Sequence, residues 1–371
     1  MSEAKTKRLI AETFLEMASG LESGEYGKKP VIGIAAEGSE HGREELLEGA
    51  RQAEARGCRT VLIEGEDVHK RMEELLAKGE IQGAVTMHYP FPIGVATIGK
   101  VVTPGRGKAM YLAATTGTSD TDRVSAMVKN AVYGIIAAKA SGTPEPTVGI
   151  ANIDGARQTE KALLKLAEGG YPIRFAESAR ADGGIVMRGN DLLLGSADVM
   201  VMDSLTGNLM MKMFSSGSTG GSYEATGWGY GPGIGQGYEP IIMIVSRASG
   251  APVIAGACEY AAQLVKQGVG RIAAAEFAAA EKAGLKEILK ELKAPKESAA
   301  AGAPVAAPPK EVVTAQIPGI EVTDLEDAVE ALWAQGVYAE SGMGCTGPIV
   351  LISEANKEKA AAILEEKGYI K

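Results

Sequence analysis

Short apolar runs alternate with segments of helical periodicity along most of the chain from Pro30 onward. The runs predict strands at residues 31–36, 60–63, 84–86, 109–113, 147–152 and 199–202. The periodic segments predict helices at residues 44–56, 68–78 and 124–140, and a further helix that ends near Phe214. Such alternation predicts an α/β fold with layered units around a largely parallel sheet. Ligands of these sheets usually bind beyond the carboxyl ends of the strands, so the loops there are the first candidates for a site.

A second unit follows a segment rich in alanine, proline and charged residues. Residues 294–311 have little capacity to form a core and predict a semi-extended linker with a reach of roughly 25–50 Å. The pattern after the linker predicts a helix with a capping box at Thr323 and Glu326, strands at residues 337–340 and 349–352, and a helix from Ser353 to Gly368. We therefore predict four parts, which are an N-terminal helix (1–30), a main α/β domain (31–293), the linker (294–311) and a small α/β module (312–371). A module this small is expected to dock on the main domain or on a partner subunit.

Composition narrows the class of protein. Apolar residues make up 45% of the 371 positions, which allows a substantial core, and the net charge of −9 arises from intermixed charges. This balance gives no reason to expect nucleic acid or an anionic membrane as a partner. Residues 1–21 predict a charged amphipathic helix without the apolar run of a signal peptide, and no run elsewhere is long enough to span a bilayer. With three cysteines and no disulfide framework, we expect a soluble protein of the reducing cytoplasm.

The loop between the two predicted strands of the module carries Cys345. Gly342, Gly344 and Gly347 allow backbone angles and close approaches that other residues forbid, and Thr346 lies beside the thiol. A large partner can reach a thiol on such a loop, and successive backbone N–H groups can stabilise its thiolate. Cys345 is therefore a candidate nucleophile or acyl carrier. The alternative is a tight turn that contains a small residue.

A second candidate site follows the predicted strand at residues 199–202. Asp203 comes at the junction with a helix, where free backbone N–H groups and the helix dipole favour an anion. Thr206, Gly207 and Asn208 supply neutral donors, and Lys212 follows one turn further on. An ordinary N-capped helix is the alternative. Further candidates for the same pocket, in the loop after the strand at residues 109–113, are Gly117, Thr118, Ser119 and Asp120.

Residues 215–237 form a long glycine-rich segment. Long loops inside compact domains are often lids or binding surfaces, and Trp228, Tyr230 and Tyr238 provide apolar anchors that a plain linker lacks. We predict a loop that binds a partner or a substrate; a poorly ordered insertion is the alternative.

The remaining histidines and cysteines predict no metal site. His41, His69 and His88 are scattered along the chain, and no Cys-x-x-Cys spacing is present. His41 could act as a base or an anion ligand, although a solvated histidine at a helix start is the more common case. Cys58 and Cys258 are expected to be small core residues.

The segment at Asp203 resembles a signature of the PlsX phosphate acyltransferases. Asp203-Ser204-Leu205-Thr206-Gly207-Asn208 with Lys212 is similar to their Asp-Gly-Phe-Val/Thr-Gly-Asn segment and the lysine after it. Residues 35–40, 78–81 and 148–153 follow in the same order as segments of that family, and residues 239–258, with Ser246 to Gly250, are similar to phosphate acetyltransferases. The resemblance spans residues 31–268 and implies a layered main domain of the isocitrate dehydrogenase and phosphate acetyltransferase type.

The chain also departs from the PlsX pattern. The loop at residues 35–40 keeps only Ala36 and Gly38 of the motif that PlsX enzymes have there. The glycine-rich residues 215–237 do not match the PlsX sequence pattern either. PlsX enzymes also lack a tethered cysteine module. The component C alpha subunits of glycine/sarcosine/betaine reductase complexes combine all of these features, and residues 342–348 resemble their C-terminal cysteine segment. This resemblance extends through most of the chain.

The resemblance implies a specific chemistry. A partner, selenoprotein A, presents a carboxymethyl selenoether whose reductive cleavage yields an activated acetyl group. Cys345 accepts this group as a thioester, and phosphate then attacks to release acetyl phosphate. Phosphate is a weak nucleophile, so the groups around Asp203 would hold it in line and stabilise the oxyanion. The resemblance also implies a hetero-oligomer with a component C beta subunit. It implies inorganic phosphate as a substrate and no cofactor.

Two other functions remain open from the sequence. The chain could be a stand-alone phosphate acyltransferase that uses acyl carrier protein or coenzyme A thioesters directly. It could also be a non-catalytic scaffold that binds its partners through the glycine-rich segment and the module. The sequence does not indicate the amine substrate of the parent complex, the subunit stoichiometry or the subunit in which Cys345 is loaded.

Overall fold

The computed structural model describes residues 7, 11, 13–15, 17–18, 20–21, 29–180, 183–294, 305–321, 324–344 and 347–370. The described residues of the predicted N-terminal helix are helical. Thr323 of the predicted capping box, residues 295–304 of the predicted linker, and Cys345 and Thr346 lie outside the described residues. None of the helices in the described ranges has the length and apolar character needed to cross a bilayer.

The strands belong to two sheets. They are β1 (Val31–Ala35), β2 (Arg59–Ile63), β3 (Gly83–Thr86), β4 (Val95–Val102), β5 (Ala109–Thr118), β6 (Thr147–Ala151), β7 (Arg174–Phe175), β8 (Val186–Met187), β9 (Val199–Val201), β10 (Gly231–Ile234), β11 (Ile242–Ile244), β12 (Ala315–Pro318), β13 (Ala339–Gly344) and β14 (Gly347–Ile352). The large sheet has the order β2-β1-β3-β11-β10-β4-β5-β9-β6-β7, with β8 also paired to β6. The small sheet has the order β12-β14-β13.

The helices of the main domain cover the large sheet, and two more belong to the C-terminal module. They are α1 (Arg43–Ala55), α2 (Val68–Ala77), α3 (Arg123–Lys139), α4 (Ala156–Glu168), α5 (Gly189–Leu194), α6 (Ser204–Ser216), α7 (Ala251–Gln267), α8 (Val269–Lys282), α9 (Leu285–Lys293), α10 (Leu325–Trp333) and α11 (Lys357–Glu366). The main core surrounds α3, whose residues from Met127 to Ala138 are nearly all buried. The predicted layered α/β fold with a largely parallel sheet is confirmed.

The large sheet contains two parallel groups that run in opposite directions. β1, β2, β3 and β11 are parallel to one another, as are β5, β6, β7, β8 and β9. The antiparallel pairs β11–β10, β10–β4 and β4–β5 join the groups. Because of this reversal, the carboxyl ends of the two groups lie at opposite edges of the sheet. We call the edge with the carboxyl ends of β5, β6, β8 and β9 the Asp203 edge.

Part of the glycine-rich segment at residues 215–237 lies in the core instead of forming the binding loop that the sequence predicts. Its residues 231–234 form β10 in the middle of the large sheet, where Gly231 pairs with Ile244 and Gly233 with Thr97. Gly231 has a φ of 90°, and a Cβ there would overlap the carbonyl group of Ile98. Glycine is therefore required by close backbone contact within the core.

Trp228 and Tyr230 also pack inside the main domain. The ammonium group of Lys100 on β4 lies 4.6 Å from the centre of the Trp228 ring. Tyr230 is 3% exposed, and its carbonyl oxygen accepts a hydrogen bond of 2.6 Å from the Thr115 hydroxyl. Two of the three aromatic anchors predicted from the sequence thus pack within the main domain, whereas Tyr238 lines a separate cavity.

The sequence pattern also misses β4 and the second half of β5. β5 extends five residues beyond the predicted end at residue 113, through a run of threonines and Gly117 that lacks an apolar signature. Its register with β4 shifts between Thr97 and Ile98, which leaves Ala114 and Thr115 in a bulge. The Ala113–Ala114 peptide bond is cis. Gly207, in the first turn of α6, packs against Ala114 in the middle of β5.

The C-terminal module has its own sheet and its own buried cluster, which includes Leu332, Val350 and Leu364. It contains β12, a strand that the sequence pattern missed because it directly follows the proline-rich segment and ends in Pro318. Ser353 precedes a short 3-10 turn, and its side chain makes no capping hydrogen bond. Its hydroxyl donates to Glu311 at 2.7 Å and accepts from the side-chain amide of Asn356 at 3.1 Å.

Candidate active site

A cavity of about 420 Å³ lies at the Asp203 edge, between the carboxyl ends of β5 and β9. Its walls come from the β5–α3 loop, the first turns of α3 and α6, and the bulge of β5. The lining residues are Ala96, Ala114, Gly117, Thr118, Ser119, Asp120, Arg123, Ala126, Asn130, Asp203, Ser204, Leu205 and Thr206. The structure thus brings together Gly117, Thr118, Ser119 and Asp120 with Asp203 and Thr206.

Asp203 caps α6 and fixes an arginine at the cavity. One carboxylate oxygen accepts hydrogen bonds from the backbone N–H groups of Leu205 and Thr206, both at 3.0 Å. The other oxygen accepts from the Thr206 hydroxyl at 2.7 Å and from Arg123 at 3.0 Å. Burial alone would raise the pKa of the Asp203 carboxyl, but these hydrogen bonds and the charge of Arg123 lower it overall. Asp203 is therefore an anion that orients Arg123.

Arg123 also binds Asp154, which lines a second cavity along the same edge. Besides Asp203, its guanidinium group binds Asp154 at 2.7 Å, and Asp154 follows β6. The Arg123 side chain is 44% exposed, so solvent and small ligands can reach it. The planar guanidinium group has five N–H donors, which suits it to carboxylate and phosphate oxygens.

Asp120 forms a second charged cluster in the same wall. Its carboxylate is 3% exposed and binds Lys129 at 2.6 Å and Lys293 at 2.7 Å. Burial alone would raise the pKa of the Asp120 carboxyl, but the hydrogen bonds from both ammonium groups and the N–H of Asp122 lower it to about 2. Lys293 is the last residue of α9, so the segment that leads to the module departs from this wall.

The charges around the cavity are balanced. Arg123, Lys129 and Lys293 face the carboxylates of Asp120, Asp154 and Asp203. A phosphate that enters must therefore compete with carboxylates for the cationic groups, and the exposed Arg123 offers the easiest access. Uncharged donors complete the wall: the Ser119 hydroxyl donates to Asn130 Oδ1 at 2.7 Å, and Asn130 Nδ2 donates to the Met202 carbonyl at 3.0 Å.

Three residues of the predicted Asp203 site lie outside the cavity lining. Gly207 packs directly on the bulge of β5, where a Cβ would overlap the carbonyl oxygen of Ala114. The Asn208 side chain donates to the Thr115 carbonyl at 3.2 Å. Both residues hold α6 against β5 and thereby set the position of Asp203.

Lys212 points to a different cluster. It lies nine residues beyond Asp203, about 13 Å further along α6, and its ammonium group binds Glu224 at 3.0 Å. The Glu224 carboxylate is 1% exposed and also accepts from Tyr230 at 3.0 Å and from Ser249 at 3.1 Å. The structure therefore separates Lys212 from the groups around Asp203.

Two other segments of the sequence resemblance meet at the opposite edge of the sheet. The N–H of Glu40, after β1, donates to the carbonyl oxygen of Arg247, after β11, at 2.9 Å. The ring nitrogen Nε2 of His41 lies 3.3 Å from the carbonyl oxygen of Ala248. The structure brings these two segments to each other but not to Asp203.

A larger cavity, of about 670 Å³, lies between the module and the Asp203 edge. The main domain contributes residues that follow β6 and β8, among them Asn152, Asp154 and Arg188. The module contributes Pro318 at the end of β12, Glu321 in the loop that follows, and Pro348 at the start of β14. Pro348 thus places the beginning of β14, which follows Cys345 in the sequence, beside the edge that carries the candidate site.

The cysteines of the main domain are buried, as the sequence predicts. Burial raises the pKa of the Cys58 thiol to about 11 and the pKa of the Cys258 thiol well above its ordinary value. A thiol that stays protonated at neutral pH is a poor nucleophile.

Sequence reasoning missed Arg123, Lys129, Asn130, Asp154 and Lys293. Arg123 carries a local signal, since it opens a helix capped by Asp122 directly after the candidate loop at residues 117–120. Lys293 carries none, because it meets Asp120 only through the packing of α9 near α3.

Sequence comparisons relate the chain to known proteins. The sequence profile of the family described as "Fatty acid synthesis protein" matches residues 30–351. The glycine/sarcosine/betaine reductase complex component C subunit alpha of Peptoclostridium acidaminophilum is 57% identical over 98% of this chain and 99% of its own length. Phosphate acyltransferases of two Thermus thermophilus strains are 31% identical over 38% of this chain and 45% of their own length. The chain therefore belongs to the fatty acid synthesis protein family, and within it to the component C alpha subunits of glycine/sarcosine/betaine reductase complexes.

Proposed function

We propose that this chain is the acyltransferase subunit of a reductase complex, which carries an acetyl group as a thioester on Cys345 and transfers it to phosphate. The cavity that holds Arg123 between Asp203 and Asp154 is the main support, because it offers an accessible and oriented guanidinium group beside a helix start. The relationship to phosphate acyltransferases supports the same reaction class.

In this reaction a phosphate oxygen attacks the carbonyl carbon of the thioester. A carbon–oxygen bond forms, the tetrahedral intermediate collapses, and the carbon–sulfur bond breaks. The sulfur leaves as a thiolate, and acetyl phosphate is released. Arg123 would bind the phosphate and reduce its charge, while Asp203 keeps the guanidinium group oriented so that little reorganisation is needed in the transition state.

The remaining wall would provide the electrostatic environment. Lys129 and Lys293 are fixed on Asp120 and place two positive charges behind the carboxylate. The hydroxyl groups of Thr118 and Ser204, which both line the cavity, are candidate donors to the oxyanion. Inorganic phosphate is the second substrate, and we propose no cofactor.

The parent complex would supply the acetyl group. We propose a hetero-oligomer with a component C beta subunit, in which a carboxymethylated selenoprotein A is the source of the acetyl group, and we place this reaction in the cytoplasm. The relative's description as a subunit of a complex supports association with other chains.

Covalent trapping tests the proposal directly. The protein is incubated with an acetyl donor without phosphate, and the peptide that contains Cys345 is analysed by mass spectrometry. We expect an added acetyl group that disappears when phosphate is added, with formation of acetyl phosphate. C345A is expected to abolish turnover, whereas C58A, which removes a buried thiol, should retain it. Turnover of C345A at the wild-type rate would refute the thioester.

A stand-alone phosphate acyltransferase is the second candidate, favoured by the similarity to the Thermus enzymes. It predicts that phosphate releases free coenzyme A from acetyl-coenzyme A at a rate that does not depend on Cys345. A scaffold subunit, in contrast, would show no acetyl transfer in either assay.

A further inference from the structure

The C-terminal module contacts the main domain through a carboxylate at the start of a helix. Glu321, in the loop after β12, accepts a hydrogen bond of 2.6 Å from the N–H of Arg157 and one of 3.4 Å from the N–H of Gly155. Gly155 is the N-cap residue of α4 and has no side chain with which to cap the helix. The first turn of α4 contains no acidic residue. The module therefore supplies the cap that α4 lacks.

A negative charge suits this position. The first N–H groups of a helix have no partner within the helix, and the helix dipole places partial positive charge there. One further polar contact supports the same arrangement, since the ammonium group of Lys161, also on α4, donates to the Gly368 carbonyl at 2.6 Å.

Two cavities lie within the interface. Their volumes are about 670 Å³ and 370 Å³, and both adjoin the Glu321 contact. Within the described part of the chain, no hydrophobic cluster combines residues of the module with residues of the main domain. An interface without a shared hydrophobic cluster between two separately packed units favours relative motion of those units. The sequence of residues 294–311 predicts a linker with the reach for such motion.

The contact also determines where the module lies. α4 follows β6, so its first residues lie at the Asp203 edge. With Glu321 on Gly155 and Arg157, Pro348 of the hairpin borders the cavity whose other wall includes Asp154. Asp154 in turn binds Arg123, the arginine of the candidate active site.

We propose that Glu321 is a positioning residue for acyl transfer. Its carboxylate caps α4 from the module and holds the module reversibly in the position from which the hairpin delivers its acyl group to the neighbouring cavity. The site of delivery rests on the proposed function, whereas the docking itself does not.

Two measurements on the full chain test these parts separately. The variant E321Q keeps the size of the side chain and removes its charge, and E326Q makes the same change at an exposed position of α10 in the same module. Hydrogen exchange at the N–H groups of Gly155 and Arg157 reports on docking. Single-turnover kinetics report loading of Cys345 by an acetyl donor and its discharge by phosphate.

We expect E321Q to accelerate exchange at these two N–H groups about tenfold, because the remaining side-chain oxygen accepts only an uncharged, weaker hydrogen bond and the second acceptor oxygen is replaced by an NH₂ group. Exchange in the last turn of α4 should stay unchanged. E321Q should slow discharge by a similar factor and leave loading unchanged, and E326Q should match the wild type in every measurement.

Unchanged exchange in E321Q would overturn the docking role. Accelerated exchange with wild-type discharge would show that the docked position is not the position of transfer, and would overturn the proposal in that form. If wild-type Cys345 is never acetylated, the proposed function fails, while the exchange measurement still decides whether Glu321 docks the module.

Discussion

The contact between α6 and the bulge of β5 makes a sharp prediction at Gly207. A Cβ at this position would overlap the Ala114 carbonyl oxygen and lie 2.8 Å from the carbonyl carbon. Carbon atoms in contact are normally about 3.5 Å apart, so G207A requires helix and strand to separate by about 0.7 Å or more. Overpacking of this kind costs about 1–3 kcal/mol, and the better helix propensity of alanine returns about 1 kcal/mol at most.

The same shift moves Asp203, which begins α6 four residues earlier. Because a misplacement of about 1 Å can reduce a rate about 100-fold, we expect G207A to lose activity as well as stability. Urea unfolding and phosphate-dependent acetyl release measure the two effects.

The matched control is G217A at the other end of the same helix. Gly217 has a helical φ of −59°, and a Cβ there meets no atom within 4 Å. We expect G217A to be neutral or to stabilise the protein by up to about 1 kcal/mol. Wild-type stability and activity in G207A would refute the inference that direct backbone contact positions Asp203.

Two further predictions concern the charged groups of the candidate site. R123A should reduce the rate of phosphate-dependent acetyl release at least about 100-fold. The control variant R71A changes an exposed arginine on α2 and should keep the wild-type rate. Equal rates in both variants would exclude Arg123 from catalysis. Asp120, held by Lys129 and Lys293, has a lowered pKa in the folded state, so its stabilisation is present above pH 4 and is lost as the pH falls towards 2. D120N should therefore lower the free energy of unfolding by about 2 kcal/mol near pH 7. The difference between D120N and wild type should become smaller below pH 4. A stability difference that does not depend on pH would contradict this account.

The sequence predicted those parts of the fold whose hydrophobic pattern is local. β1, β2, β3, β6 and β9 are short apolar runs, and their positions agree with the prediction to within two residues. β10 was not predicted because its strand character comes from its neighbours. Glycines allow it to lie between β4 and β11, and no periodic pattern marks them.

The same distinction holds for the candidate site. Asp203 and Thr206 could be identified because a strand, a capping residue and a helix follow one another in the sequence. Asp120 meets Lys293 across 173 positions, and Glu321 meets Arg157 across 164, so neither pair leaves a local signal. Lys212 was grouped with Asp203 by sequence proximity, whereas the rise of the helix separates them.

The position of β10 has a consequence for solubility. The first half of β10 pairs with β11, and its second half pairs with β4. This one short strand therefore covers one hydrogen-bonding edge of β11 and one of β4. If β10 detached, both neighbours would present unpaired N–H and C=O groups to solvent, which is the usual starting point for intermolecular strand pairing. β10 thus covers the edges of two strands at once, and its local opening is expected to favour pairing between copies of the chain.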